Sequence, residues 1–281
     1  MKIKFIVDSA CDVPVEMVER YGMTVLPAYV NFDGKSHADD GDGFDRVAYY
    51  EALSQMDELP STSSMSAGEV EKALEQVFSD ADHVFLVSVA SNLSGIHNAM
   101  RLGARLFPAD QYTLFDTETV SAAAGLQAVA GACVAEETGD PAATLDALRR
   151  ARAHSVTYAA AQTLKFMRRG GRVSWATGMI GDLLRIRPVV AVRKGEVESM
   201  ARARRRTAWI DAAARAIREN APLDGLTLMH ANNRHDLDEL RSRISDVLPE
   251  MTHTIVVTPS VGTHVGPGTI GAGVLSAKWR A

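Results

Sequence analysis

Short runs of β-branched and aromatic residues alternate with helix-period segments through the first half of this chain. That alternation restricts the fold more than any other feature. Residues 3–7, 24–30, 84–89 and 112–115 have the length and composition of buried strands. Between or after them, residues 15–20, 44–56, 67–79, 95–107 and 121–137 carry helical patterns, and an alanine-rich helix is expected over 141–153. Strands that alternate with helices need crossover connections, so the expected core is a mainly parallel sheet covered on both faces. The second half differs in texture. Residues 189–192 and 197–200 flank Arg193-Lys194-Gly195-Glu196, a hairpin signal. A helix over 207–219, a strand at 226–230, a helix over 236–247 and a strand at 254–258 complete the expectation. The reading is an α/β chain in two parts: residues 1–158 around a mainly parallel sheet, and 159–281 around a mixed sheet.

Composition narrows the function classes. Of 281 residues 46% are hydrophobic and 23% charged, enough apolar surface to offset the entropy of ordering. Thirty Lys and Arg against 35 Asp and Glu give a net charge of −5, which provides no global attraction to nucleic acid or anionic lipid. The two cysteines, Cys11 and Cys133, cannot build a disulfide framework and lack paired metal-ligand spacing, as suits a reducing interior. Residues 1–8 contain too short an apolar run for a secretory leader. The longest apolar stretch, 122–135, is interrupted by Gln127 and is too short to span a bilayer; its small residues suit a tightly packed core helix. A cytoplasmic protein without stable membrane insertion is expected.

Several motifs fail on inspection. Gly266-Pro267-Gly268-Thr269-Ile270-Gly271 matches a dinucleotide fingerprint, but the ten residues beyond it cannot supply the helix and second strand such a site needs. A tight loop is the better reading. Asp39-Asp40-Gly41-Asp42-Gly43-Phe44-Asp45 suggests a calcium loop, yet Phe44 takes a ligand position and Asp45 replaces the turn glycine. Solvated loop acids ahead of a helix are expected instead. Arg202, Arg204, Arg205 and Arg206 form a basic cluster with no nucleic-acid-binding motif beside it, so a solvated face is the default and an anion site or acidic partner the next option. No metal spacing, nucleophile elbow or phosphate-binding lysine loop occurs, so no cofactor and no metal are expected.

Two hydroxyl-rich junctions remain. Ser91-Asn92-Leu93-Ser94-Gly95 follows a strand and precedes a helix; Pro60-Ser61-Thr62-Ser63-Ser64-Met65-Ser66 precedes another. Hydroxyls there usually cap helices. In an open parallel sheet, however, ligands sit beyond the carboxyl ends of strands, and two converging junctions of this kind would hold a carboxylate or phosphate. His264 stands out among the histidines because glycines surround it.

At these segments the chain resembles the DegV family, whose members include the bacterial FakB fatty-acid-binding proteins. The resemblance rests on Asp8-Ser9-Ala10-Cys11-Asp12-Val13-Pro14, Thr62-Ser63-Ser64-Met65-Ser66, Leu93-Ser94-Gly95, Phe115-Asp116-Thr117 and Ser121-Ala122-Ala123-Ala124-Gly125. Further matches run from Leu164 to Ser174, from Leu183 to Pro188, and through His264-Val265-Gly266-Pro267-Gly268. They span nearly the whole chain in order. The resemblance implies a DegV-like two-domain α/β fold with a lipid-filled tunnel. It implies a long-chain fatty acid whose carboxylate is held by Thr62 and Ser94, with His264 as the family's tail histidine. An arginine after the hairpin approaches the head group in some members; Arg202 is the nearest match and Arg204 the alternative. The implied function is a carrier rather than an enzyme, presenting the carboxylate to a separate fatty acid kinase that makes acyl phosphate for phospholipid synthesis. Departures at Ser64-Met65, Ile96-His97-Asn98 and Arg185 bear on acyl-chain preference. Two rivals remain open: a hydrolase or acyltransferase with Ser94 as nucleophile and His264 as base, and a nucleic-acid-binding regulator using the arginines.

Overall fold

The computed structural model describes residues 1–39, 44–173 and 186–281. In its first half β1 (Ile3–Asp8), α1 (Val15–Tyr21) and β2 (Thr24–Leu26) begin the expected alternation. The single strand expected over 24–30 is two. Pro27 lacks the N–H a ladder needs, and the backbone of Ala28 turns away to bond Ser9 Oγ and the Asp39 N–H. The chain re-pairs as β3 (Tyr29–Phe32) with β4 (Lys35–Ala38), followed by α2 (Arg46–Leu53) and β5 (Ser61–Ser63). These make a small antiparallel sheet, ordered β4-β3-β5, which was not read from the sequence. Next come α3 (Ala67–Phe78), β6 (His83–Ser88), α4 (Ile96–Gly103) and β7 (Tyr112–Asp116). β2, β1, β6 and β7 form a four-stranded sheet in that order, parallel throughout, as the crossovers require. Ser66, rather than Thr62, caps α3, in a reciprocal box with Glu69.

α5 (Ala122–Thr138) and α6 (Pro141–Ala153) follow, then β8 (Ser155–Ala160), α7 (Lys165–Arg169), β9 (Arg187–Arg193) and β10 (Glu196–Ala203). The last two form the expected hairpin. α8 (Arg206–Arg218), β11 (Leu223–His230), α9 (Arg234–Arg243), β12 (Met251–Val256), α10 (Pro259–Val265) and β13 (Ile270–Ser276) complete the described chain. The second sheet is mixed, ordered β10-β9-β8-β13-β11-β12, with only β11 and β12 parallel. β8 and β13 lie at its centre although neither was read as a strand, and the boundary expected at residue 158 falls inside β8. The glycine-rich segment 266–271 leads into β13 and is no dinucleotide turn.

α5 ties the two sheets together. Ala128, Val129 and Ala132 pack on Phe5, Val7 and Phe85 of the parallel sheet. Leu126 and Ala130 pack with Leu275 of β13 and Trp279. A helix apolar all round belongs in an interior, and its alanines and glycines let both sheets come close. α3 and α4 cover the other face of the parallel sheet, and α8 and α9 the other face of the mixed one.

Candidate functional site

A cavity of about 390 Å³ opens where the small sheet, the loop after β6, α10 and the β9–β10 hairpin meet. Its walls are mostly aliphatic, with Val89, Ile96, Val190, Val192, Val261 and Met229 among them. Pockets that take small organic ligands run from about 300 to 1,000 Å³ and share this pattern of apolar walls with few polar groups. Thr62, Ser94, His264 and Arg172 supply polar atoms to the lining.

Each is delivered by a different element. Thr62 lies on β5, held opposite Val30 of β3, so the pleat rather than a helix cap sets its direction. Ser94 sits in the turn after β6, where Leu93 and Ser94 N–H groups both bond the Ala90 carbonyl; its own Oγ accepts weakly from the Ile96 N–H at 3.3 Å. His264 occupies the last turn of α10, and its Nε2 lies 2.8 Å from Thr62 Oγ1. Burial, reinforced by the charge of Arg172, pushes the imidazole down to about 4, so it is neutral near pH 7. With the proton on Nε2 it donates to Thr62 Oγ1, which leaves the threonine hydrogen for a ligand oxygen. Gly170 packs against the other edge of the ring: a Cβ there would come within 3.0 Å of Nδ1. Arg172 is exposed at the mouth, bonded to the Gly170 carbonyl and, at 3.4 Å, to that of Leu93.

The structure thus brings Thr62, Ser94 and His264 to one cavity, with Thr62 and His264 in direct contact. Arg202 is elsewhere, exposed on the edge strand β10 and outside the lining; Arg204 is exposed just beyond the strand. Of the basic cluster, Arg206 is no solvated residue, since it pairs with Asp236 and Glu239. Asp39 was expected in a solvated loop and is instead fully buried, accepting from Ser9 Oγ at 2.5 Å and the Ser260 N–H at 3.2 Å. Residues 40–43 of that loop, and 174–185 including Arg185, lie outside the described residues. Sequence reasoning gave no role to Arg172; the only signal was its place in the Arg168-Arg169-Gly170-Gly171-Arg172 run. Among the described residues no His, Cys, Asp and Glu group has metal-binding geometry, and no helix is long and apolar enough to cross a membrane.

Comparison with known proteins bears on this cavity. A "Fatty acid-binding protein" of Thermotoga maritima is 30% identical over 98% of this chain and 98% of its own length. Among solved structures, "Fatty Acid Binding of a DegV family Protein from Thermus thermophilus" superposes with a TM-score of 0.90 at 26% identity, covering 98% of this chain and 100% of that one. A DegV lipid binding protein from Thermotoga maritima gives 0.88 at 26% identity, covering 99% of each chain. The family model described as "Uncharacterised protein, DegV family" matches residues 2–277, and with the parallel and mixed sheets in place the chain belongs to the DegV family.

Proposed function

We propose that this chain binds a long-chain fatty acid in the cavity and presents its carboxylate to a separate fatty acid kinase. The observation that carries this reading is a mostly aliphatic cavity whose lining includes Ser94 and a Thr62 in direct contact with a neutral His264. Hydroxyl donors suit a carboxylate, and each such hydrogen bond to a charged acceptor contributes roughly 1.5–3 kcal/mol. Apolar walls suit an acyl chain, at about 0.8 kcal/mol per buried methylene. The tail therefore supplies most of the affinity, and the Thr62 and Ser94 hydroxyls set where the reacting oxygen stands. Fatty-acid and lipid binding by the similar proteins above supports the same ligand class.

Hydrolysis by Ser94 with His264 as base is less consistent with the geometry. His264 Nε2 faces Thr62, and among the described residues no carboxylate hydrogen-bonds its ring. Such chemistry needs a nucleophile–base contact and a group orienting the base. Mass spectrometry of an organic extract of the purified protein tests the carrier reading. One fatty acid per chain is expected, and phosphorylation of it should require an added kinase and ATP. A protein with an empty cavity that also fails to take up added fatty acid would overturn it.

A further inference from the structure

Behind the inner wall of the cavity lies a second group of side chains that the proposed carrier role does not use. Asp8 ends β1, Asp12 follows four residues later, and Asp39 follows β4; all three carboxyls are buried. Asp12 accepts from the Thr258 N–H at 2.9 Å and from Ser121 Oγ at 2.5 Å. Asp39 accepts from the Ser260 N–H. Thr258 and Ser260 open α10, whose last turn carries His264. Asp8 Oδ2 accepts from the Val89 N–H at 2.9 Å, where the turn bearing Ser94 begins. Among the described residues its Oδ1 is buried with no hydrogen-bond partner of normal geometry, as is Thr258 Oγ1. Ala10, Ala28, Ser121 and Ser260, which contact or adjoin these acids, themselves line the cavity.

Charge within the group does not balance. Among the described residues the one cation beside the three acids is Arg46 of α2, whose guanidinium bonds the Val256 and Asp39 carbonyls. The other titratable neighbours are the Cys11 thiol on Asp8 and the Tyr50 hydroxyl, which donates to the Val257 and Thr258 carbonyls. Both are held protonated by burial. Tyr49, beside Tyr50, bonds Thr263 of α10 and is pushed by burial up to about 12. Near His264 itself the facing charge is Arg172. Three buried carboxylates and one arginine cannot all stay ionised at no cost, because like charges in a low dielectric repel strongly. An unpartnered Asp8 oxygen marks where a proton can reside.

We propose that Asp8, Asp12 and Asp39 form a proton-holding latch that positions His264 and Ser94, and that loss of its proton weakens the hold on a carboxylate ligand. The proposal rests on the fatty-acid reading for its ligand but not for the latch. Two effects act in the same direction. Deprotonation places another negative charge behind the cavity, opposing the ligand carboxylate. It also makes the acids repel, which moves the start of α10 and the Ser94 turn apart.

The test uses NMR of the His264 side chain in the lipid-free full chain, with the resonance assigned by its absence in His264→Gln. Burial pushes Asp8 up to about 7 and Asp12 up to about 6, whereas His264 itself titrates near 4. The His264 resonance should therefore show an inflection between about pH 6 and 7, separate from its own. Asp8→Asn and Asp39→Asn should each remove or move it. Oleate, used as the probe carboxylate, should bind wild type roughly tenfold more weakly at about pH 8 than at about pH 5, and the folded variants should show a much smaller ratio. Ionisation of oleate is common to all, so the difference belongs to the protein. Absence of the upper His264 inflection in wild type, its persistence unchanged in both variants, or an oleate ratio unchanged by them overturns the proposal. Failure of oleate to bind at any pH counts against the carrier reading, while the ligand-free inflection still decides the latch.

Discussion

Gly170→Ala isolates the head-group geometry from the chemistry of its residues. Gly170 has φ −70° and ψ −13°, a helical conformation that alanine adopts freely. Its methyl would nevertheless stand within 3.0 Å of His264 Nδ1 and at 3.3 to 3.4 Å from Cε1 and Cγ. The nitrogen must retreat by several tenths of an ångström or more, and it can do so only by tilting the ring on α10. The 2.8 Å contact between Nε2 and Thr62 Oγ1 is then broken or bent. A hydrogen bond lost between two neutral groups costs about 0.5–1.5 kcal/mol, or roughly 2- to 10-fold in an equilibrium constant. On the proposed carrier reading, much of that should fall on transfer by an added fatty acid kinase, because apolar burial keeps the acyl chain in place. Gly171→Ala is the control. Its φ of +71° disfavours alanine, yet nothing lies within 4 Å of the built methyl. That variant should lose about 1 kcal/mol of stability and keep its ligand geometry. Melting temperature, oleate affinity and acyl-phosphate turnover on both variants form the assay. Wild-type turnover in Gly170→Ala, at full lipid loading, would refute a positioned His264 as part of the site.

Thr62→Ala combined with Ser94→Ala should retain bound lipid, detected by mass spectrometry, while turnover per loaded molecule falls by one to two orders of magnitude. Equal turnover would remove both hydroxyls from the site. Stability should depend on pH in the sense opposite to that of ordinary paired carboxylates. Burial raises Asp8 to about 7 and Asp12 to about 6, so their contribution is full below the unfolded value near 4 and is lost as pH rises through 6 and 7. Denaturant titrations should show a decline of a few kcal/mol over that window, flattened in Asp8→Asn; a rise would contradict the buried neutral acid. Replacing Arg202 and Arg204 together by alanine should leave folding and lipid content unchanged and raise the KM for the kinase. An unchanged KM assigns both to solvated surface.

The candidate site was legible where chemistry is written in short segments. Thr62, Ser94 and His264 lie in hydroxyl- or glycine-rich stretches that helix formation alone does not demand, and all three reach the cavity. Thr62 shows the limit of local reading. Its segment looked like a helix-capping loop, but the cap is Ser66, and Ser61–Ser63 adds to β3 through pairing that polar residues do not announce. Arg172 resembled any surface arginine because, besides the local Gly170 carbonyl, its placement comes from the Leu93 carbonyl, which only tertiary structure brings near. Asp39 misled for the same reason. Acids followed by a helix are usually solvated, and the distant Ser9 and Ser260, with Arg46 nearby, make its burial tolerable.

The fold divides along a similar line. A strand buried on both faces can show as a continuous apolar run, as β6 does, but β8 and β13 are buried at every residue and were not visible, because small and hydroxyl residues fill them instead of large apolar ones. β13 begins Ile-Gly-Ala-Gly, weak in strand character by itself, and in β8 the Val-Thr-Tyr signal is only three residues long between Ser155 and two alanines. Their small residues answer to α5. A methyl at Gly273 would strike the backbone of Ala122 and Ala123, so β13 can lie against the start of that helix only as glycine. The same helix packs Ala128 and Ala132 on Phe5 and Phe85 across the parallel sheet. A segment that is buried on both sides has no solvent face to mark it as belonging to one half. The alanine-rich run and the glycines of β13 are therefore one feature, split by about 140 residues of chain, and neither half of the molecule closes its interior without the other.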